Sequence, residues 1–149
     1  MTEESEISEP VVKYKITKDL ENCKRAFMNK QFDVFLTEVL SGDFIAYEAV
    51  YKYNSDYDGA TEFVIRNRVS GMGQSFDKNR RYYFTAIKCV QTGTTYSIKS
   101  YWLVNTDLKP VLNSDYDDHE WTQVDLKTDS SNFVENFRDE GVFASKYVH

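Results

Sequence analysis

Side chains able to do acid–base or nucleophilic chemistry are few and scattered in this chain. Its two histidines are His119 and His149, and His149 is the last residue. A Ser-His-Asp or Cys-His arrangement needs a histidine beside a nucleophile. The stretch around His119, residues 115–120, is instead acidic and polar. We therefore interpret His119 as a solvated surface histidine and predict no catalytic residues.

The carboxylate-rich and glycine-rich stretches also lack the spacing of known ligand sites. Residues 115–118 do not follow the Asp-x-Asp-x-Asp-Gly order of a calcium loop. Residues 71–73 supply only two of the three glycines of a dinucleotide loop, because Phe76 stands in the third place. Cys23 and Cys89 are in no metal-like spacing. The sequence predicts no metal, no cofactor and no small-molecule substrate.

Basic residues interleaved with aromatic ones suggest a different chemistry. The arginines concerned are Arg66, Arg68, Arg80 and Arg81. Arginines neutralise phosphates, and the neighbouring Tyr82 and Tyr83 offer rings on which bases stack. One hypothesis is therefore a nucleic-acid patch that binds RNA or the ribosome. The alternatives are a solvated surface with ordinary scatter of charge, or a basic patch for an acidic partner.

Composition limits the class of protein. The chain has 149 residues, of which 41% are hydrophobic and 15% aromatic, so it predicts one globular domain and excludes a disordered protein. Residues 1–9 contain four glutamates and no basic residue. We predict a flexible acidic tail at residues 1–10 and a folded domain at residues 11–149. The acidic start is no signal peptide, and no apolar run reaches the about 20 residues of a membrane span. These features, with the unpaired cysteines, indicate a cytoplasmic protein.

Helical periodicity marks both ends of the chain. Thr17 is a candidate cap for a first helix, in which Leu20, Cys23 and Phe27 form an apolar stripe. A second helical pattern covers residues 32–40 and ends at Ser41-Gly42. A last helix is predicted from Ser130, and Gly141 closes it.

The middle of the chain alternates with the period of a strand. Strands are predicted at residues 44–53, 82–90, 94–104 and 119–124, with a hairpin turn at Gln91-Thr92-Gly93. A further strand is predicted at 61–69, with Phe63 in the core, followed by a helical segment at 70–79 that carries Met72 and Phe76. Residues 108–112 contain Pro110 and predict a loop or edge piece. Short connections favour antiparallel pairing, so the fold class is α+β.

The order and spacing of residues between Tyr51 and Asp125 resemble one family, the C-terminal domain of the gamma subunit of eukaryotic translation elongation factor 1B. The matching residues are Tyr51, Asn67, Gly71, Gln74, Asp77, Arg80, Phe84, Trp102, Asp115, Tyr116, Trp121 and Asp125. The chain departs from the family pattern at several places, among them Gly73 for an aromatic residue, Ser75 for arginine and His119 for tyrosine.

The resemblance implies a curved antiparallel sheet of about five strands flanked by helices. It also implies a non-catalytic scaffold, an interaction domain in the complex that exchanges GDP for GTP on elongation factor 1A. The implied partners are other elongation factor 1B subunits or the elongation factor 1A complex.

Polar and aromatic residues of the matching set predict a binding site for such a partner. The candidates are Tyr47, Tyr51, Asn67, Gln74, Asp77 and Arg80. We expect Gln74, Asp77 and Arg80 to lie beside the two tyrosines in a partly exposed hollow, because tyrosine and arginine are favoured at binding hot spots. A local ion pair between Asp77 and Arg80 is the alternative interpretation of those two residues.

Overall fold

The computed structural model describes residues 20–41, 44–92, 95–105, 112, 114–139, 141–142 and 144–149. The predicted acidic tail, the cap at Thr17, the hairpin residue Gly93 and the loop at 108–111 lie outside these residues. The described part has five α-helices: α1 Glu21–Met28, α2 Phe32–Ser41, α3 Glu62–Asp77, α4 Ser114–Asp117 and α5 Leu126–Arg138. Short 3₁₀ turns cover Asn54–Tyr57 and Arg80–Tyr82.

A five-stranded sheet forms the centre of the domain. Its strands are β1 Ile45–Tyr51, β2 Tyr83–Thr92, β3 Thr95–Val104, β4 His119–Val124 and β5 Ser145–Val148. They lie in the order β4-β1-β3-β2-β5, and every neighbouring pair is antiparallel. The predicted α+β class and antiparallel sheet are confirmed. β5 was not predicted, because four residues after a helix are too short to show an alternating pattern.

Helices cover both faces of the sheet. On one face, which we call the α3 side, α3 packs against Ile87, Ile98 and Trp102. On the opposite face, α1, α2 and α5 pack against Phe84 and Leu103. Phe27 of α1 meets Phe84 edge to face at 5.3 Å between ring centroids. Successive side chains of β3 point to opposite faces, so the sheet separates two cores, one on each face.

The predicted strand at residues 61–69 is wrong. These residues begin α3, which runs without interruption to Asp77. Buried residues recur along α3 at helical spacing: Ile65, Val69, Met72 and Phe76. Phe63, predicted to be in the core, is 72% exposed. The helix forms because one stripe of four apolar side chains buries against the sheet, and each buried side chain contributes about 1.5–3 kcal/mol.

The last helix begins earlier than predicted. Asp125 caps α5, since its carboxylate accepts a hydrogen bond from the Lys127 N–H at 2.9 Å. Asp129 has non-helical angles and divides the first turn from the rest. The part that follows Asp129 carries Phe133 and Phe137 into the core, as the apolar pattern predicts.

Candidate functional site

The long helix α3 holds most of the residues predicted to bind a partner. Asn67 and Gln74 are exposed. They lie nearly half a helical turn from the buried stripe, because each residue advances about 100° around the axis. Phe63 falls in line with them. We call Phe63, Asn67, Ser70, Gly71 and Gln74 the outward face of α3.

The two tyrosines of the predicted site lie on the other side of that helix. Tyr51 is buried in the core of the α3 side. Tyr47 is half-buried and packs edge to face on Trp121 at 5.8 Å. Gln74 points to solvent on the far side of α3. The structure therefore does not form the predicted hollow, since the thickness of a helix separates its two halves.

Asp77 and Arg80 form a local ion pair. Arg80 Nη1 lies 3.4 Å from Asp77 Oδ1, three residues apart, with both side chains more than half exposed. Such pairs stabilise a helix end by about 0.2–0.5 kcal/mol. The geometry agrees with the local interpretation of this pair and leaves a role in partner binding as a prediction.

The four arginines of the proposed nucleic-acid patch lie in two separate places. Arg66 forms an ion pair with Glu62 at 2.8 Å near the start of α3. The end of α3 lies about 16 Å from Arg66 along the helix axis, because each residue rises 1.5 Å. Arg80 and Arg81 follow that end of the helix. Tyr82 and Tyr83, expected to stack on bases, are buried. No single basic-aromatic surface is formed by these residues.

Arg68 is tied to the sheet. Its guanidinium lies over the Tyr51 ring at 4.9 Å and donates to the Tyr51 hydroxyl at 3.2 Å. Arg68 thus fastens α3 to the end of β1, and a cation over an aromatic face contributes about 0.5–2 kcal/mol. We assign it a structural role.

His119 is buried, so its interpretation as a surface residue is wrong. It is 5% exposed, and its ring lies 5.5 Å from the Tyr51 ring and 5.7 Å from the Trp121 ring. Burial lowers the pKa of His119 below its ordinary value, although a hydrogen bond to the Asp115 carbonyl at 3.1 Å acts in the opposite direction. Its strand position was the missed signal, because His119 shares the inward-facing period of β4 with Trp121.

Residues of the late family motif hold the sheet edge against α3. The Ser75 hydroxyl donates to the Asp115 carboxylate at 2.8 Å. The Trp121 indole N–H donates to the Tyr116 carbonyl at 2.8 Å, and the two rings stack at 5.0 Å. Ser75, a departure from the family pattern, is therefore part of the link. No local pattern in the sequence indicates this contact, since 40 residues separate its partners.

Gly73, another departure, lies where α3 crosses β5. A Cβ at this position would overlap the aliphatic stem of Lys146. The missing side chain thus lets Lys146 cross the helix in the space that a larger residue would fill. This change affects the buried side of α3 and leaves the outward face as it is.

Gly71 has no comparable internal reason. A Cβ added there would meet only an Arg68 nitrogen at 4.0 Å, and the backbone is ordinary helix. Glycine inside a helix costs about 1 kcal/mol relative to alanine, so it needs a packing or functional reason. The described part of the domain supplies none. Close approach of another molecule to the helix backbone would supply one.

Neither a metal-binding cluster nor a membrane-spanning helix is found among the described residues. No group of three or more histidine, cysteine or carboxylate side chains there is arranged to hold a metal ion. In the same part of the chain, no helix is long and apolar enough to cross a membrane.

Comparisons with known proteins identify a consistent set of relatives. The family model described as "Elongation factor 1 gamma, conserved domain" matches residues 7–107. "Probable elongation factor 1-gamma" of Caenorhabditis elegans is 26% identical over 122 residues, 75% of this chain and 30% of that protein. "Elongation factor 1-gamma 3" of Oryza sativa subsp. japonica is 32% identical over 84 residues, 54% of this chain and 20% of that protein. The matched segments thus span less than a third of either relative.

Proposed function

Because the chain belongs to the elongation factor 1 gamma conserved-domain family, we propose that it is a non-catalytic interaction domain of the elongation factor 1 complex. In this role it corresponds to the C-terminal domain of the gamma subunit and acts in the cytoplasm. It supports the machinery that exchanges GDP for GTP on elongation factor 1A by holding subunits together. Its partner is another elongation factor 1B subunit or the elongation factor 1A complex.

The outward face of α3 is the observation that carries this proposal. Asn67, Gly71 and Gln74 belong to the set of residues that resembles the family. Asn67 and Gln74 are exposed, and a side chain at Gly71 would meet little within the domain. Residues kept for the fold are expected to pack or to hydrogen-bond internally, as Trp102 and Asp115 do. Polar side chains of the family pattern on a helix face that the described residues leave exposed are better explained by an intermolecular contact.

Phe63 gives the outward face an apolar anchor. Its ring is 72% exposed, and the adjacent Val64 is 41% exposed. Interfaces take much of their binding energy from a few aromatic side chains placed among polar neighbours. Phe63, one helical turn from Asn67, fits that role. Gly71 then allows the partner's backbone to come close to α3, and Asn67 and Gln74 offer hydrogen bonds on either side.

A scaffold role also agrees with the chemistry of the interior. His119 is enclosed by aromatic rings and has no serine or cysteine nucleophile among its described contacts. Acid–base catalysis needs a titrating group in reach of a substrate. The buried imidazole is therefore assigned to packing.

Capture of purified elongation factor subunits tests the proposal. The triple variant Phe63→Ala, Asn67→Ala, Gln74→Ala removes the anchor and both amides. We expect it to lose capture of its partner by about tenfold or more, because truncating a hot spot costs about 2 kcal/mol. Its melting temperature is expected to stay within a few degrees of the wild type, since all three side chains are exposed.

A matched control changes three exposed positions on another helix. Lys127→Ala, Asn132→Ala, Glu135→Ala alters the solvent side of α5. Capture by this variant should equal that of the wild type. Equal capture by both triple variants would show that the outward face of α3 is not the binding surface.

A further inference from the structure

A basic cavity lies where α1 meets the turn that follows α3. It measures about 510 Å³. Lys24 and Arg25 of α1 line one side, and Arg80 and Arg81 of the turn line the other. Glu21, Met28 and His149 also line it. The lining side chains thus carry four positive charges and one negative charge, in a chain whose net charge is −6.

The cavity is built into the fold. Lys24 is buried, and its ammonium group donates to the Arg80 carbonyl at 2.7 Å. This bond fixes the turn Arg80–Tyr82 against α1. The Arg81 guanidinium lies over the Tyr82 ring at 5.7 Å. The backbone of Arg80 and the guanidinium of Arg81 are therefore positioned by a buried side chain and a packed ring.

Two of the arginines are held only weakly within the described part of the chain. Arg25 donates to the Asn22 side chain at 3.3 Å, and Arg80 meets Asp77 at 3.4 Å. Exposed contacts of this length contribute little and are screened by salt. An incoming anion that accepts two hydrogen bonds from a guanidinium fork competes with them successfully.

We propose that this cavity binds an acidic peptide segment of a partner protein, through a phosphate group or clustered carboxylates. Either group presents several oxygens to the two guanidinium forks and to Arg81. A cavity of this volume holds one or two acidic side chains. The site lies apart from the outward face of α3, so it goes beyond the proposed function and does not depend on it.

The surroundings favour a peptide over RNA. A nucleic-acid site needs a continuous run of cations and aromatic faces for the bases. Arg66 lies near the other end of α3, and Tyr82 and Tyr83 are buried. A local anion on a peptide needs neither a continuous run of cations nor aromatic faces.

Fluorescence anisotropy with a labelled peptide tests this site. The probe is a short peptide carrying phosphoserine between glutamates. The variant Arg25→Gln, Arg80→Gln removes both weakly held forks, and we expect its affinity to fall by at least about tenfold. The control Arg66→Gln, Lys127→Gln makes the same change in net charge elsewhere and should bind within about twofold of the wild type.

Three further binding measurements decide whether the proposal holds. The variant Arg25→Lys, Arg80→Lys keeps the charge without the fork and should fall between the wild type and the glutamine variant. Absence of peptide binding, or equal loss in the pocket and control variants, would overturn the proposal. Tighter binding of a single-stranded RNA than of the peptide, lost in the same pocket variant, would overturn the assignment to a peptide. These peptide-binding results do not depend on whether the triple variant of α3 captures elongation factor subunits.

Discussion

Gly59 and Gly141 share a left-handed backbone but differ in their surroundings. Their φ angles are +75° and +76°. A Cβ at Gly59 would meet nothing within 4 Å, whereas a Cβ at Gly141 would overlap the carbonyl oxygen of Cys89. The same carbonyl accepts the Val142 N–H at 2.9 Å. Gly141 therefore lets the chain pack closely against strand β2 before β5 begins.

Alanine at these two glycines is expected to have unequal effects. Gly59→Ala should lower the free energy of unfolding by about 1–2 kcal/mol, the cost of the left-handed backbone alone. Gly141→Ala should lower it by about 2–4 kcal/mol, because the backbone of β2 cannot move aside. Urea denaturation of the two variants measures the difference. Equal losses would show that the contact with Cys89 has no energetic consequence.

His119 is expected to make stability depend on pH. Burial lowers its pKa in the folded state below the ordinary 6.5; Arg68 also lowers it, while Asp115 and Asp118 oppose the shift. The unfolded chain therefore takes up a proton at a higher pH than the folded one. Stability should fall as the pH drops below about 6.5, by at most about 1.4 kcal/mol per unit, until the folded-state pKa is passed.

The variant His119→Gln removes this titration. Its free energy of unfolding should vary less between pH 7 and pH 5 than that of the wild type. Urea denaturation at several pH values measures both slopes. Parallel slopes for the two proteins would mean that His119 has the same pKa in the folded and the unfolded state.

At the scale of elements, α3 shows where periodicity succeeds and where it fails. The segment after Ser70 was predicted to be helical from Met72 and Phe76, and both are buried as expected. The preceding turns contain the aromatic and β-branched residues Phe63, Val64 and Ile65, which favour a strand locally. Burial against the sheet makes this segment helical, because Ile65 and Val69 continue the buried stripe of Met72 and Phe76. That burial is a long-range effect that no local pattern reveals.

Phe63 and Ile65 distinguish the two descriptions of this segment. A strand would place them on the same face, whereas the helix turns them about 200° apart. Ile65→Ala should lower the free energy of unfolding by about 2–5 kcal/mol, and Phe63→Ala should change it by less than about 0.5 kcal/mol. Guanidinium denaturation of both variants gives the comparison. Similar losses would support the strand.

At the scale of the whole molecule, the fold class could be predicted, whereas the arrangement of the candidate site residues could not. Alternating runs and the hairpin around Gln91 were sufficient for an antiparallel sheet flanked by helices. The pairing of β4 with β1 places His119 beside Tyr51, and a hydrogen bond between α3 and α4 joins Ser75 to Asp115. Both pairs of neighbours are far apart in sequence. The predicted hollow assumed that Gln74 and Tyr51 share a surface. A continuous α3 puts them on opposite sides, which moves the candidate interface to the outward face.

The two proposals assign separate functions to two surfaces of the domain. The outward face of α3 offers an apolar anchor with amide groups, and the cavity beside α1 offers positive charge. Their independence follows from their residues, since Phe63, Asn67 and Gln74 line no part of the cavity. Under these two proposals, one domain binds a subunit at one surface and an acidic segment at another.

The most direct test of the interaction domain follows the side-chain amide signals of Asn67 and Gln74 by NMR. Purified elongation factor 1B subunits and elongation factor 1A are added in turn to the ¹⁵N-labelled domain. One of them is expected to shift or broaden both signals, together with the Gly71 backbone amide, while signals from the exposed Asn132 of α5 stay in place. Binding that leaves Asn67, Gly71 and Gln74 unchanged, or no binding by any of these partners, would contradict the account.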